Sequence, residues 1–182
     1  AHVIILVFSK DLGSAVIFFA GYLIMVFIAT KNYFYLFAGI LGGAGASIVA
    51  YHMFSHVRTR VIAFLHPWSN INDSGYQITQ SLFAIGTGGW FGLGIDQGDP
   101  TSIPYVEQDF IFSAVAEEMG VIFGICLILV CVSCFIVFMK IAMQLKEDFY
   151  RYIAVGISTI YIFQIFLTIG GGTRFIPLTG VT

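Results

Sequence analysis

The residues best suited to chemistry are three acids beside a strongly apolar stretch. Asp109 opens the run Asp-Phe-Ile-Phe, and the pair Glu117 and Glu118 follows it. A carboxylate at the end of a membrane helix can accept a proton as a general base, which typically contributes about 10²- to 10⁴-fold to a rate. Asp109 can equally act as a helix N-cap that bonds the free amides of the first turn, and neither role excludes the other.

Glu117 is the second acidic candidate, as a substrate-binding residue. On a straight helix it lies about 12 Å along the axis from Asp109 and about 80° off its face, so the two carboxylates cannot touch. Ionisable groups near hydrocarbon are costly, which suggests a functional role. The alternative is a structural acid that pairs with a basic or hydroxyl group of a neighbouring helix.

Two arginines and one amide complete the candidate binding residues. Arg58 and Arg60 follow a long apolar run together, and a guanidinium pair could clamp a diphosphate. The alternative for both is an anchor at the membrane interface. Residues 75–85 have helical spacing with one polar side, which fits a helix along the membrane surface. We take Gln80 on that polar side as a further candidate substrate-binding residue.

The glycine-rich run at residues 86–94 predicts a tight backbone turn with positive φ angles. It resembles a phosphate-binding loop only superficially, because it lacks the Lys-Ser/Thr pair and no strand precedes it. The four histidines are scattered and show no ligand spacing, so no metal site is predicted from the protein's own residues.

Composition narrows the class of protein that must position these residues. Of 182 residues, 58% are hydrophobic and only 10% are charged, with a net charge of −2. Soluble domains carry about 25% charged residues. The composition therefore excludes a nucleic-acid-binding domain, a disordered segment and almost any soluble enzyme, and it predicts an all-α polytopic membrane protein.

Long runs without charge predict the spanning helices. They are interrupted by two short polar turns and by one long segment, residues 55–108, which is predicted to be a large loop. Residues 109–139 would exceed the membrane thickness as one helix, so this run either projects or breaks near Gly120. The predicted spans are residues 12–29, 33–54, 121–139 and 152–170, with the tail of a fifth helix at residues 3–8, all in a single integral-membrane region over residues 1–182.

Several short motifs follow one another in a characteristic order. They are Asp-Leu-Gly-Ser-Ala at 11–15, Arg-Val-Ile-Ala-Phe-Leu-His-Pro at 60–67, Gly-Tyr-Gln-Ile-Thr-Gln-Ser at 75–81, Ala-Ile-Gly-Thr-Gly-Gly at 84–89, Asp-Phe-Ile-Phe at 109–112, Ala-Glu-Glu-Met-Gly at 116–120 and Pro-Leu-Thr-Gly-Val-Thr at 177–182. Together they resemble the SEDS family of FtsW/RodA/SpoVE-type bacterial proteins of shape, elongation, division and sporulation. We expect the chain to be an internal fragment of such a protein.

The resemblance implies a ten-span protein of the bacterial cytoplasmic membrane that polymerises lipid II into peptidoglycan together with a class B penicillin-binding protein. It places residues 55–108 in the large extracytoplasmic loop and matches Asp109 to the family's essential acid. The implied reaction is inverting glycosyl transfer, with a polyprenyl diphosphate as leaving group. A divalent cation such as Mg²⁺ or Mn²⁺ could help to neutralise that diphosphate, and the fragment alone is expected to be inactive.

Two other functions suit a polytopic membrane protein. A lipid-linked precursor flippase or transporter would carry buried acids along a path and broken helices at the membrane midplane. A non-catalytic scaffold that recruits a penicillin-binding protein would not need the Asp109 carboxylate. The clustering of acids at the end of a span, beside a long loop, favours chemistry at the membrane surface.

Overall fold

The computed structural model describes residues 11–71, 73 and 75–180, and every regular element within them is helical. This confirms the all-α fold class. The expectations for residues 3–8 lie outside the described residues. The described residues form six α-helices, here named α1 to α6, which are joined by turns and two short 3₁₀ segments: α1 Leu12–Thr30, α2 Tyr33–Met53, α3 Ser55–Leu65, α4 Tyr76–Gly88, α5 Ile111–Gln144 and α6 Asp148–Gly172.

Within the described chain, α1, α2, α5 and α6 are long and apolar enough to cross a membrane. They cover the four predicted spans, except that α2 ends one residue early, and α5 and α6 extend beyond the uncharged runs at both ends. The turn between α1 and α2 is tight because Lys31 adopts a left-handed conformation, and the Asn32 side chain then caps α2 by accepting a bond from the Phe34 amide at 2.9 Å.

The chain divides into two compact units, so the single region predicted for residues 1–182 stays a prediction. The first unit contains the residues up to Ser55 and Cys131–Ile165. In it α1 and α2 pack closely, since a Cβ at Gly39 would lie 2.2 Å from a Leu23 methyl group and one at Gly43 would lie 3.1 Å from the Phe19 ring. The small residues therefore allow this helix contact.

The second unit contains His56–Val130 and Phe166–Thr182. Its first helix, α3, was expected to be loop. The apolar run ends where Phe54 takes an extended conformation, with φ −114° and ψ 115°, and a new helix begins at Ser55. Residues 55–108 thus carry two helices, α3 and α4, and the second of these was expected from its amphipathic spacing.

Helix α5 breaks at Gly120, which has φ 85° and ψ 167°. The Glu117 carbonyl accepts from the Leu93 amide at 2.9 Å, and the Val121 amide donates to the Gly89 carbonyl at 2.9 Å. A continuous helix would have joined Glu117 and Val121 to each other. The glycine loop (residues 89–94) therefore bonds the backbone groups that the break exposes.

Of the run 86–94 that was predicted to be a tight turn, residues 86–88 continue α4, and only the glycine loop has the expected conformation. Gly89, Gly92 and Gly94 all have positive φ angles, of 55°, 80° and 108°. A Cβ on Gly92 would lie 2.2 Å from the Glu118 carbonyl oxygen, so only glycine allows the loop to approach α5 this closely. The loop serves as a backbone partner for α5.

A buried hydroxyl pair ties three helices of the second unit together. Ser81 of α4 donates to the Gly172 carbonyl at the end of α6, at 2.7 Å, and its oxygen lies 2.5 Å from the Ser113 hydroxyl of α5. Because a serine hydroxyl has only one proton, Ser113 must donate to Ser81. Both side chains are fully buried, so their bonds are shielded from water.

We expect Ser81→Ala to lower the free energy of unfolding by about 1–3 kcal/mol, because it leaves a buried carbonyl and a buried hydroxyl without a partner. Thermal unfolding of the purified full-length protein in detergent measures the effect. The matched control is Ser47→Ala, which removes an exposed bond within α2 and should change stability by about 0.5 kcal/mol or less. Equal effects of the two variants would contradict this account of the pair.

Candidate functional site

A cavity of about 390 Å³ lies in the second unit. Helices α3 and α4, the segment before α5 and the segment after α6 contribute its walls. Polar and charged groups line much of it, so it suits a hydrophilic ligand. The lining residues are Thr59, Arg60, Ala63, Gln77, Ile78, Tyr105, Gln108, Asp109, Leu178 and Gly180.

Asp109 lies in this cavity wall, at the end of a backbone turn. The amides of Gln108 and Asp109 both donate to the Tyr105 carbonyl, at 3.0 and 3.1 Å. Two almost inaccessible side chains flank the turn, Ile103 at 1% and Phe110 at 0% exposure, and they pack into one core cluster with Ala84 of α4. These apolar anchors on either side fix where the carboxylate stands.

The alternative role of Asp109 as N-cap, in the first turn of its helix, does not fit the structure. Helix α5 begins at Ile111, and the Phe110 carbonyl accepts the first amide bonds, from Ser113 at 2.9 Å and from Ala114 at 3.2 Å. The buried Phe110 occupies the position directly before the helix, so Asp109 lies one residue too early to cap it. The carboxylate is therefore not committed to the helix amides.

The Asp109 carboxylate is half-buried, and its Oδ1 atom is buried without a hydrogen-bond partner. Burial raises the pKa of this carboxyl above its ordinary value of 3.8, and the nearby positive charge of Arg60 lowers the pKa in part. A carboxylate with a raised pKa and an unused acceptor atom is a better proton acceptor than a solvated one.

Arg60 borders the cavity, whereas Arg58 is exposed and is not part of the cavity wall. Both belong to α3, where residues two apart point about 200° away from each other. The diphosphate clamp suggested for both guanidinium groups therefore has no support from this placement. The sequence did not separate the two arginines, because α3 was expected to be loop. Arg60 is held by Thr179, whose carbonyl accepts a bond from Nη1 at 2.6 Å.

Gln80 and Glu117 do not line the cavity. Gln80 is half-buried on α4, and Gln77, one turn earlier on the same helix, reaches the cavity instead. Glu117 is only 7% exposed and lies against Gly98, where its Oε1 accepts from the Asp99 amide at 3.4 Å and its Oε2 has no partner. The substrate-binding roles suggested for both side chains have no support from this placement.

Sequence reasoning missed several lining residues. Gln77 carried a usable signal, because it shares the polar side of the amphipathic helix with Gln80. No sequence pattern pointed to Thr59, Tyr105 or Gly180, since their positions at the cavity depend on how distant segments of the chain pack. Tyr105 has a positive φ of 59°, uncommon for a residue with a side chain, and sits at the start of the turn that ends at Asp109.

The described residues include no group of three or more His, Cys, Asp or Glu side chains placed to hold a metal ion. A divalent cation at this cavity would therefore be bound mainly by an anionic ligand, with few ligands from the described residues.

Comparisons with known proteins agree with the motifs. A family model described as "Cell cycle protein", FTSW_RODA_SPOVE, matches residues 1–182. The peptidoglycan glycosyltransferase RodA of Mycobacterium tuberculosis (strain H37Rv) is 38% identical over 179 residues, covering 98% of this chain and 38% of RodA. The stage V sporulation protein E of Bacillus subtilis is 31% identical over 182 residues, covering 98% of this chain and 50% of that protein.

A probable peptidoglycan glycosyltransferase FtsW from Francisella salina is 36% identical over 189 residues, covering 98% of this chain and 46% of its own length. The chain thus spans half the length, or less, of these curated relatives. The family match over the whole chain, the order of the motifs and the long apolar helices agree: the chain belongs to the FtsW/RodA/SpoVE family of multi-pass bacterial membrane proteins.

Proposed function

We propose that the full-length protein is a peptidoglycan glycosyltransferase that polymerises lipid II into glycan strands for cell division, elongation or sporulation. One observation carries the proposal: Asp109 presents a buried, unpartnered carboxylate oxygen in a polar cavity that Arg60 also borders. The relatives' names, which include peptidoglycan glycosyltransferase RodA and FtsW, support the same reaction.

The chemistry needs a base for one hydroxyl group. The 4-hydroxyl oxygen of one lipid-linked disaccharide attacks the anomeric carbon of another, the new glycosidic bond forms, and the bond from that carbon to the diphosphate oxygen breaks with inversion. Asp109 takes the hydroxyl proton, and its raised pKa suits this role because the carboxylate binds the proton more firmly than a solvated one would.

The leaving polyprenyl diphosphate departs as an anion and needs neutralisation of its charge more than a proton. Arg60 is the cation of the cavity wall and has the planar donor geometry that suits phosphate oxygens. A divalent cation bound to the diphosphate would add to this neutralisation, but no step here depends on it, since the described residues offer no metal cluster.

The polyprenyl tails would lie along the exposed apolar faces of the long helices, in contact with membrane lipid. We further propose a class B penicillin-binding protein as the partner. The purified full-length protein should convert labelled lipid II into polymer on a gel, with higher yield when that partner is present. A yield of polymer no greater than the background without protein would refute the proposed activity.

The purified full-length protein can also be used to test the two alternative functions, a flippase or transporter and a non-catalytic scaffold. A flippase in liposomes would move fluorescent lipid II across the bilayer without making polymer, and a scaffold would do neither. The break of α5 at Gly120 is a feature that a transporter could also have, if the break lay at the membrane midplane. However, residues 121–144 extend about 36 Å beyond the break, enough to cross the membrane alone. The break therefore lies at the end of a span, as surface chemistry requires.

A further inference from the structure

The Arg60 guanidinium could donate to the Thr179 carbonyl or to the Asp109 carboxylate, and it bonds only the carbonyl. Its Nη1 donates to the Thr179 carbonyl at 2.6 Å, whereas no ion pair joins it to Asp109. Its positive charge still acts on the Asp109 carboxyl through space. The guanidinium therefore stands near the candidate base but is held by a backbone oxygen from the other end of the chain.

Gly180 makes this arrangement possible. A Cβ built on Gly180 would lie 2.9 Å from Nη2 of Arg60 and 3.4 Å from Nη1. The φ of Gly180 is +68°, a conformation that residues with side chains rarely adopt. The missing side chain leaves the space in which the guanidinium lies against the backbone of residues 179–180.

We infer that Thr179 and Gly180 are positioning residues that hold Arg60 off Asp109, so that the carboxylate stays unpaired and available as a base. The inference rests on the proposed function of Asp109. Direct pairing would stabilise the carboxylate and weaken it as a proton acceptor, because an opposite charge in contact lowers a carboxyl pKa by about 1–3 units. The backbone carbonyl competes with Asp109 for the guanidinium and so sets the strength of the base.

Few other charges act on Asp109 across the cavity. Helix α3 contributes Arg60 and α4 contributes the neutral Gln77. The turn before α5 contributes the Tyr105 phenol, and the segment at residues 178–180 contributes no titratable side chain to the wall. A change in the titration of Asp109 on altering Gly180 is thus attributable to the movement of Arg60.

The test is Gly180→Ala in the full-length protein, with Gly180→Asn as a second variant because Asn tolerates a left-handed backbone better. The added Cβ meets the flexible end of Arg60, so we expect the guanidinium to leave Thr179 and pair with Asp109. The acidic limb of the pH profile of lipid II polymerisation should then move about 1 unit or more to lower pH, and the maximal rate should fall.

A second readout does not need turnover. Carbodiimides modify the protonated carboxyl group, so the pH dependence of Asp109 labelling, quantified by mass spectrometry, should shift in the same direction. Gly86→Ala is the matched control, since a Cβ there has open space and touches nothing. In an Arg60→Gln background, Gly180→Ala should leave both readouts unmoved.

The inference is overturned if both Gly180 variants leave the acidic limb of the pH profile and the pH dependence of Asp109 labelling unchanged, or move them to higher pH. It is also overturned if Gly180→Ala shifts both readouts by the same amount in the Arg60→Gln background. If these results come with an inactive Asp109→Asn variant, only the positioning role fails. If Asp109→Asn polymerises lipid II at the normal rate, the role of Asp109 as the base fails, and the inference fails with it. If the wild-type protein makes no polymer, the proposed function itself fails.

Discussion

Replacing Asp109 with Asn should slow lipid II polymerisation by the full-length protein by about 10²- to 10⁴-fold, the usual contribution of a general base. Asn has nearly the same shape as Asp but cannot accept the proton of the attacking hydroxyl. The rate is measured as polymer formed per minute at equal protein and partner concentrations. Asp109→Glu is the informative companion variant, since it keeps the carboxylate and should retain more activity than Asn.

The loss must come from chemistry and not from unfolding. Burial raises the pKa of Asp109 in the folded state above its unfolded value. The stabilisation from this group is therefore present below the ordinary pKa and is lost as the pH rises through the raised one. Asn has no such ionisation, and Asp109 is not the helix cap, so the variant should be at least as thermostable as the wild type at neutral pH. An active, wild-type-like Asp109→Asn protein would refute the role of base.

Gly88→Ala is expected to destabilise the second unit strongly. At the end of α4, a Cβ on Gly88 would lie 2.1 Å from the Ala116 carbonyl oxygen and 2.7 Å from the Glu117 Cα atom. Both neighbours are backbone atoms of α5, so the two helices must separate. Overpacking of this kind costs about 1–3 kcal/mol. Polymerisation should also fall, because α4 carries Gln77 in the cavity wall.

The control for Gly88→Ala lies two residues earlier on the same helix. A Cβ on Gly86 meets nothing within 4 Å, and alanine favours a helix over glycine by about 1 kcal/mol. Thermal unfolding in detergent should therefore show a lower midpoint for Gly88→Ala and an unchanged or higher one for Gly86→Ala. Equal midpoints for the two variants would show that α4 and α5 do not approach as closely as described.

The long helices were predictable because their signal is local. A run of residues without charge has only one economical structure in a membrane, and α1, α2 and α6 follow directly from it. A run from residue 109 to residue 139 would be too long as one helix, and the sequence left projection or a break near Gly120 as alternatives; the structure has the break. The partner of the break, the glycine loop, was not predicted, because its bonds to α5 join residues 24 to 32 positions apart.

The candidate site was only partly predictable for the same reason. Asp109 and Arg60 were identified as chemical candidates, and the structure places both on one cavity. That both residues border the same cavity depends on α3, a helix that was predicted to be loop. The contact of Arg60 with Thr179 joins residues 119 positions apart, and no local pattern encodes it. Gln80 was chosen for its polar helix side and Glu117 for its position beside hydrocarbon, but neither pattern shows which residues line the cavity, and packing places both outside it.

The pH profile of lipid II polymerisation tests the central claim most directly. If Asp109 is the base, the rate must fall on the acidic side as the carboxylate takes up a proton, with an apparent pKa above the ordinary 3.8 because burial disfavours the charged form. The residual activity of Asp109→Asn should lack this limb. A wild-type profile whose acidic limb persists unchanged in the Asp109→Asn protein, at the same rate, would contradict the account.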